Sequence, residues 1–186
     1  NQVTAHDFVY AWRRLADPAT ASPYSWFAEI MALENVGAVM SGESPPEALG
    51  IRALDNLTLE VRLTASLPYF AAMTTHASTY PTPQWTVKTF GDDWTKPGNI
   101  VGNGAYVLTE HIPNETATRE RNSLYWNNDA TIINKVVTLI MNDENTDFTR
   151  WEAGETDRGA IPSGQYPRLK AQYPEEAISF PRLCTY

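Results

Sequence analysis

Residues 93–108, D-W-T-K-P-G-N-I-V-G-N-G-A-Y-V-L, constrain the fold of this 186-residue chain more than any other stretch. Pro97-Gly98 and Asn103-Gly104 are turn signals around a short apolar pair, and Ala105, Tyr106, Val107 and Leu108 then suit a strand. An Asn-Gly dipeptide takes positive φ with little strain, so a sharp turn at Asn103-Gly104 is expected immediately before that strand. A loop feeds a β-rich region here, and the chain ahead of it reads differently.

That earlier region opens with a helix over residues 3–15. Thr4 can cap it, Asp7 suits its positive end, and Ala5, Phe8, Val9, Trp12 and Leu15 recur on one face. Asp17-Pro18 ends it. Shorter helices are expected from Tyr24 and over 33–40, then a strand over 50–54, a turn at Asp55-Asn56 and an alternating strand over 57–63. A turn or two of helix follows over 68–73, and the breakers Pro81 and Pro83 mark the expected domain change.

Beyond a short helix over 85–90 and the opening stretch, a hairpin is expected, with strands over 105–112 and 115–121. Residues 134–141 form a continuous apolar run that suits a sheet covered on both faces. A helix over 143–153 carries Phe148 and Trp151 on one side and closes at Gly154. A weaker helix over 165–172 is interrupted by Pro167, and residues 177–180 suit a returning strand. The fold class is α/β in the broad sense, mixed α+β.

Composition narrows the function. Hydrophobic residues make up 42% and charged residues 19%, a globular balance with no run near the ~20 apolar residues that span a bilayer. The net charge of -8, with scattered basic residues, disfavours nucleic acid and anionic membrane as partners. His6, His76 and His111 are far apart in sequence and the single cysteine is Cys184, so neither a disulfide framework within the chain nor a metal site is expected. There is no G-x-S-x-G and no phosphate-binding loop, and the acidic residues Asp143, Glu144, Glu152 and Glu155 fit a solvated helix face. No catalytic constellation is visible, and no cofactor is expected.

Several motifs in order resemble the periplasmic oligopeptide-binding proteins, family 5 of the ABC-importer solute-binding proteins, together with their murein-peptide-binding relatives. They are V-T-A-x-D-F-V-Y-x-W-x-R-L from Val3, D-P-x-T-A-S-P-Y from Asp17, L-G-I-x-A-L-D from Leu49, L-P-Y-F from Leu67, the opening stretch, N-x-x-Y-W-x-N from Asn122, R-W-x-A-G-E-x-D from Arg150 and L-C-T-Y from Leu183. The resemblance implies a two-lobed clamp more than twice this length, of which this chain looks like an interior fragment. Residues 1–83 would belong to an extra α+β subdomain, 84–183 to the first main lobe, and 184–186 to the crossing toward a second lobe that is missing here.

The same resemblance implies the function: capture of an extended peptide between lobes and delivery to a membrane permease, in the periplasm or lipid-tethered outside a Gram-positive cell. By similarity Tyr24 lines the ligand cleft, Glu144 is a cleft-side acid, and Ile161, Pro162 and Ser163 reach the ligand. Cys184 would pair with a cysteine of the missing segment. Arg158, Gly159, Ala160 and Ile161 replace a longer loop that in the family carries Tyr and Asn, so ligand preference can differ. Two alternatives stay open: a non-peptide ligand such as haem or a nickel complex within the same family, and a hydrolase built on Glu144 and Glu155.

Overall fold

The computed structural model describes residues 2–180, and the expected bridge at Cys184 lies outside them. Helix α1, Ala5–Ala16, forms where the apolar stripe predicts it, with the Asp7 carboxylate accepting from the Thr4 amide at 2.8 Å and from the Thr4 hydroxyl at 3.0 Å. The carboxylate thus satisfies an amide that the first turn leaves unpaired. Val9, Trp12, Leu15 and Ala16 are buried against α2 (Ser25–Ile30), α3 (Val36–Met40) and the hairpin β1 (Ile51–Ala53) and β2 (Leu59–Val61). Phe8 is only half-buried.

Trp12 is the anchor of this core. Its indole is 2% exposed and donates to the Thr79 carbonyl at 2.9 Å, and its ring meets Phe70 edge-on at 6.3 Å. Phe70 opens α4, Phe70–Met73. The helix expected over 33–40 starts late because Leu33 is spent on a bridge to Leu63, and Asn35 then turns the chain at φ 63. Beside that bridge Gly50 donates to the Glu34 carbonyl and accepts from the Arg62 amide, both at 2.8 Å. A β-carbon on Gly50 would lie 2.6 Å from Glu34 Cβ, so only glycine fits this close crossing.

The chain packs as two compact units, Asn1–Val101 and Gly102–Tyr186, so the segments on both sides of Pro81 and Pro83 belong to one packed unit. Prolines mark where ladders stop, not where packing stops. Thr82 still donates to the Asp7 carbonyl at 3.3 Å, and α5, Gln84–Phe90, buries Thr86 completely within the first unit.

The second unit holds an antiparallel sheet in the order β3 (Tyr106–Ile112), β4 (Thr116–Arg121), β5 (Lys135–Leu139). The expected left-handed turn at Asn103-Gly104 is absent: neither residue takes positive φ, and in this stretch Gly98 does, at 85°. The entry to β3 is fixed by Asn122, whose side-chain amide donates to the Gly104 carbonyl at 2.8 Å and whose backbone amide donates to Ala105 at 2.9 Å. β5 is not covered on both faces among the described residues. It lies at the sheet edge with Val136 and Leu139 half-buried and Val137 exposed, because an apolar β-branched run favours a strand without specifying what will pack on it.

Helix α6, Glu144–Glu152, and helix α7, Tyr166–Gln172, complete this unit. Pro167 does not interrupt α7, since it sits in the first turn, where its missing N–H would have had no helical partner. Residues 177–180 form no strand. The Ala177 amide is taken by the Tyr173 carbonyl at 2.9 Å, and the Ala177 carbonyl by Lys170 at 3.0 Å, which ties the segment to the end of α7.

Candidate functional site

In the second unit the structure brings Glu144 and Ser163 together. Asp143 caps α6 by accepting from the Thr146 amide and hydroxyl, each at 2.7 Å, and these bonds, the hydroxyl first, hold its carboxyl below the usual aspartate range. This places Glu144 and Asp147 one helical turn apart on the side that meets the loop over 158–164. The Glu144 carboxylate accepts from the Ser163 amide at 3.0 Å, and the Asp147 carboxylate from the Ala160 amide at 2.7 Å. Two acids of one helix therefore pin the backbone of one loop.

Gly159 makes that approach possible. A β-carbon there would lie 2.8 Å from Trp151 Cβ and 3.4 Å from the Asp147 carbonyl oxygen. Gly164, at φ 75°, turns the chain from the loop toward α7. Ile161 is half-buried, Pro162 buried and Ser163 exposed.

Ile161 also lines a cavity of about 700 Å³ with Phe148, Trp151, Leu169, Tyr173 and Ile178, whereas Glu144, Pro162 and Ser163 do not line it. The Trp151 and Tyr173 rings meet edge-on at 5.0 Å, with Phe148 5.8 Å from Trp151. Tyr173 donates to Glu152 at 2.7 Å, and the carboxylate acceptor raises the phenol above its usual range. Glu155 is paired to Arg150 at 2.8 Å. Glu144 and Glu155 thus serve separate partners.

In the first unit Tyr24 precedes α2 and is 47% exposed. Its ring lies 5.2 Å from His76 and 6.1 Å from Trp26, and His76 stacks on Phe27 at 4.3 Å with 21° between planes. The His76 Nδ1 lies 2.8 Å from the Ser78 hydroxyl and 3.3 Å from the Ser78 amide. Tyr24 also lines a cavity of about 330 Å³ with Arg14, Tyr80 and Trp94. His76 and Trp94 escaped the sequence reading because no periodicity links them to Tyr24. Arg14 was within reach, one helical turn after Tyr10, whose ring its guanidinium covers at 5.8 Å.

Among the described residues no group of histidine, cysteine and acidic side chains is arranged to hold a metal ion, and no helix is long and apolar enough to cross a membrane. The geometry is that of backbone-pinned loops and aromatic walls. Residues 1–186 match the family described as bacterial extracellular solute-binding proteins, family 5, middle region.

The chain belongs to that family. Among family 5 relatives, the periplasmic oligopeptide-binding protein OppA of Salmonella typhimurium is 45% identical over 186 residues, covering 99% of this chain and 34% of the relative. The structure of Haemophilus influenzae OppA in complex with the peptide RPPGFSPFR superposes with a TM-score of 0.87 at 44% identity, over 92% of this chain and 34% of that one. The Escherichia coli murein tripeptide binding protein MppA gives 0.88 at 40% identity, over 94% of this chain and 34% of that one. The chain spans about a third of the length of these relatives.

Proposed function

We propose that this family 5 chain is part of the ligand-capturing subunit of a peptide ABC importer. The observation that carries the reading is the 45% identity to an oligopeptide-binding protein over the whole chain. The protein works outside the cytoplasm, in the periplasm or on a lipid tether, and takes extended oligopeptides or murein peptides. It carries no chemical step.

The physics of such a binder suits the side chains described. A receptor for varied peptides draws affinity from main-chain hydrogen bonds and leaves side-chain pockets roomy and hydrated. Tyr24 covers one peptide residue with its exposed ring. The loop over 158–164, fixed by Glu144 and Asp147, presents Ile161 and Ser163 to another, with Pro162 buried behind them. Ligand binding favours a closed form of the whole receptor, and the permease recognises that form. We assign residues 1–83 to the extra subdomain and 84–183 to the first lobe of that receptor, with Cys184 bridging toward the second.

Isothermal calorimetry of the full-length protein with a pool of tri- to pentapeptides tests the reading. Saturable heat is expected. No heat with any peptide pool, from protein that unfolds cooperatively, would sink it.

A further inference from the structure

We propose that the Arg14 cavity of the first unit is a carboxylate-binding subsite. The inference rests on the peptide-capture reading for the origin of the ligand, but not for the chemistry of the site. Arg14 lies in the last turn of α1 and is half-buried. Its guanidinium carbon sits 5.8 Å from the Tyr10 ring centroid and 5.9 Å from that of Trp94, so aromatic rings hold it in place.

Stacking satisfies the faces of a guanidinium and leaves its N–H donors in the plane unused. Among the described residues no acceptor takes those donors. The four ion pairs belong to Arg52, Arg62, Lys96 and Arg150, and the nearby Asp93 is engaged by Lys96 at 2.7 Å. The cavity that Arg14 lines holds about 330 Å³, and its lining includes the hydroxyl-bearing residues Thr20, Ser22, Tyr24, Ser78 and Thr82 and no acidic residue.

In a chain of net charge -8, a cavity whose only charge is a pre-oriented cation attracts an anion. The planar fork of arginine matches the two oxygens of a carboxylate, and the aromatic wall accepts the carbon skeleton that carries it. The volume suits a single residue of a peptide. That carboxylate comes either from an acidic side chain or from a free carboxyl terminus, and both present the same group to Arg14.

Calorimetry on the full-length protein separates the two sources. Ala-Glu-Ala is compared with Ala-Gln-Ala, and Ala-Gln-Ala with its carboxyl-terminal amide. A preference of about tenfold or more for the carboxylate form is expected in at least one arm, and that arm names the source. Arg14→Met keeps the hydrocarbon stem and should abolish the preference while leaving the amidated Ala-Gln-Ala unchanged, which also reports on folding. Arg14→Lys should keep part of it. Equal affinity within each wild-type pair, or a preference that survives Arg14→Met, overturns the proposal.

Failure of the wild-type protein to bind these tripeptides would count against the peptide-capture reading and not against the subsite. The subsite is then judged on the Arg14 Nε–H resonance during titration with N-acetylglutamate. A saturable shift that Trp94→Leu weakens supports it, and an unmoved resonance overturns it.

Discussion

Substituting Gly159 by alanine should release the loop over 158–164 from helix α6. The added β-carbon meets Trp151 Cβ at 2.8 Å, and relief to the 3.4 Å edge of ordinary contact opens the gap by about 0.6 Å. Trp151 Cβ is fixed to a helix and cannot swing aside, so the loop must move. The 2.7 Å bond from the Ala160 amide to Asp147, next in sequence, then stretches toward the limit of hydrogen bonding. Overpacking of this kind costs about 1–3 kcal/mol, and weakening a charge-assisted bond on a half-exposed carboxylate adds about 1 kcal/mol. The sum, about 2–4 kcal/mol of local stability, predicts that exchange protection of the Ala160 amide falls by about 30- to 900-fold. Hydrogen exchange by NMR on the intact chain reads this directly, with the Ser163 amide following. Gly102→Ala is the control, since nothing lies within 4 Å of the added carbon and its φ is not positive. Protection at Ala160 within threefold of wild type would refute the argument that close approach at Gly159 is what lets Asp147 reach the loop.

Trp12→Phe removes the indole donor and leaves the Thr79 carbonyl without it, at a cost of about 2–4 kcal/mol in urea unfolding; a loss under about 0.5 kcal/mol would contradict the anchoring role. Tyr24→Ala should weaken peptide binding in calorimetry by about tenfold and change stability by less than about 0.5 kcal/mol, because the ring is half exposed. A wild-type affinity in that variant would remove Tyr24 from the site. The Asp143 carboxyl is lowered in the folded chain, so its contribution is complete above the ordinary aspartate pKa and is lost as pH falls through the depressed folded value. Asp143→Asn keeps a capping oxygen without the titration, so its stability should fall less steeply than wild type on acidification, and parallel acid limbs would refute the assignment.

The first unit was largely legible because its information is local. The stripe of α1, the Thr4–Asp7 start and the Asp17-Pro18 stop all lie within one segment, and the structure realises them together. The hairpin over 51–61 was visible from alternation, but its tight crossing with residue 34 at Gly50 depends on a contact that no periodicity records. The second unit was harder for the same reason. An apolar run at 135–139 encodes a strand but not its place at an edge, and the segment over 177–180 is held by Tyr173 and Lys170 rather than by a neighbouring strand. The pairing of Glu144 with Ser163 joins two positions that family resemblance had named separately, although the cavity side chains around Trp151 gave no signal of their own.

The pins at Glu144 and Asp147 both grip main-chain amides, and no loop side chain takes part in either. Where the loop lies is therefore written in the helix and in Gly159, while what it displays is written at Ile161 and Ser163. Those two kinds of information can change independently. If the loop meets the ligand as proposed, a lineage, or an engineer, can rewrite residues 161 and 163 to alter which ligands are preferred without having to solve the placement of the loop again.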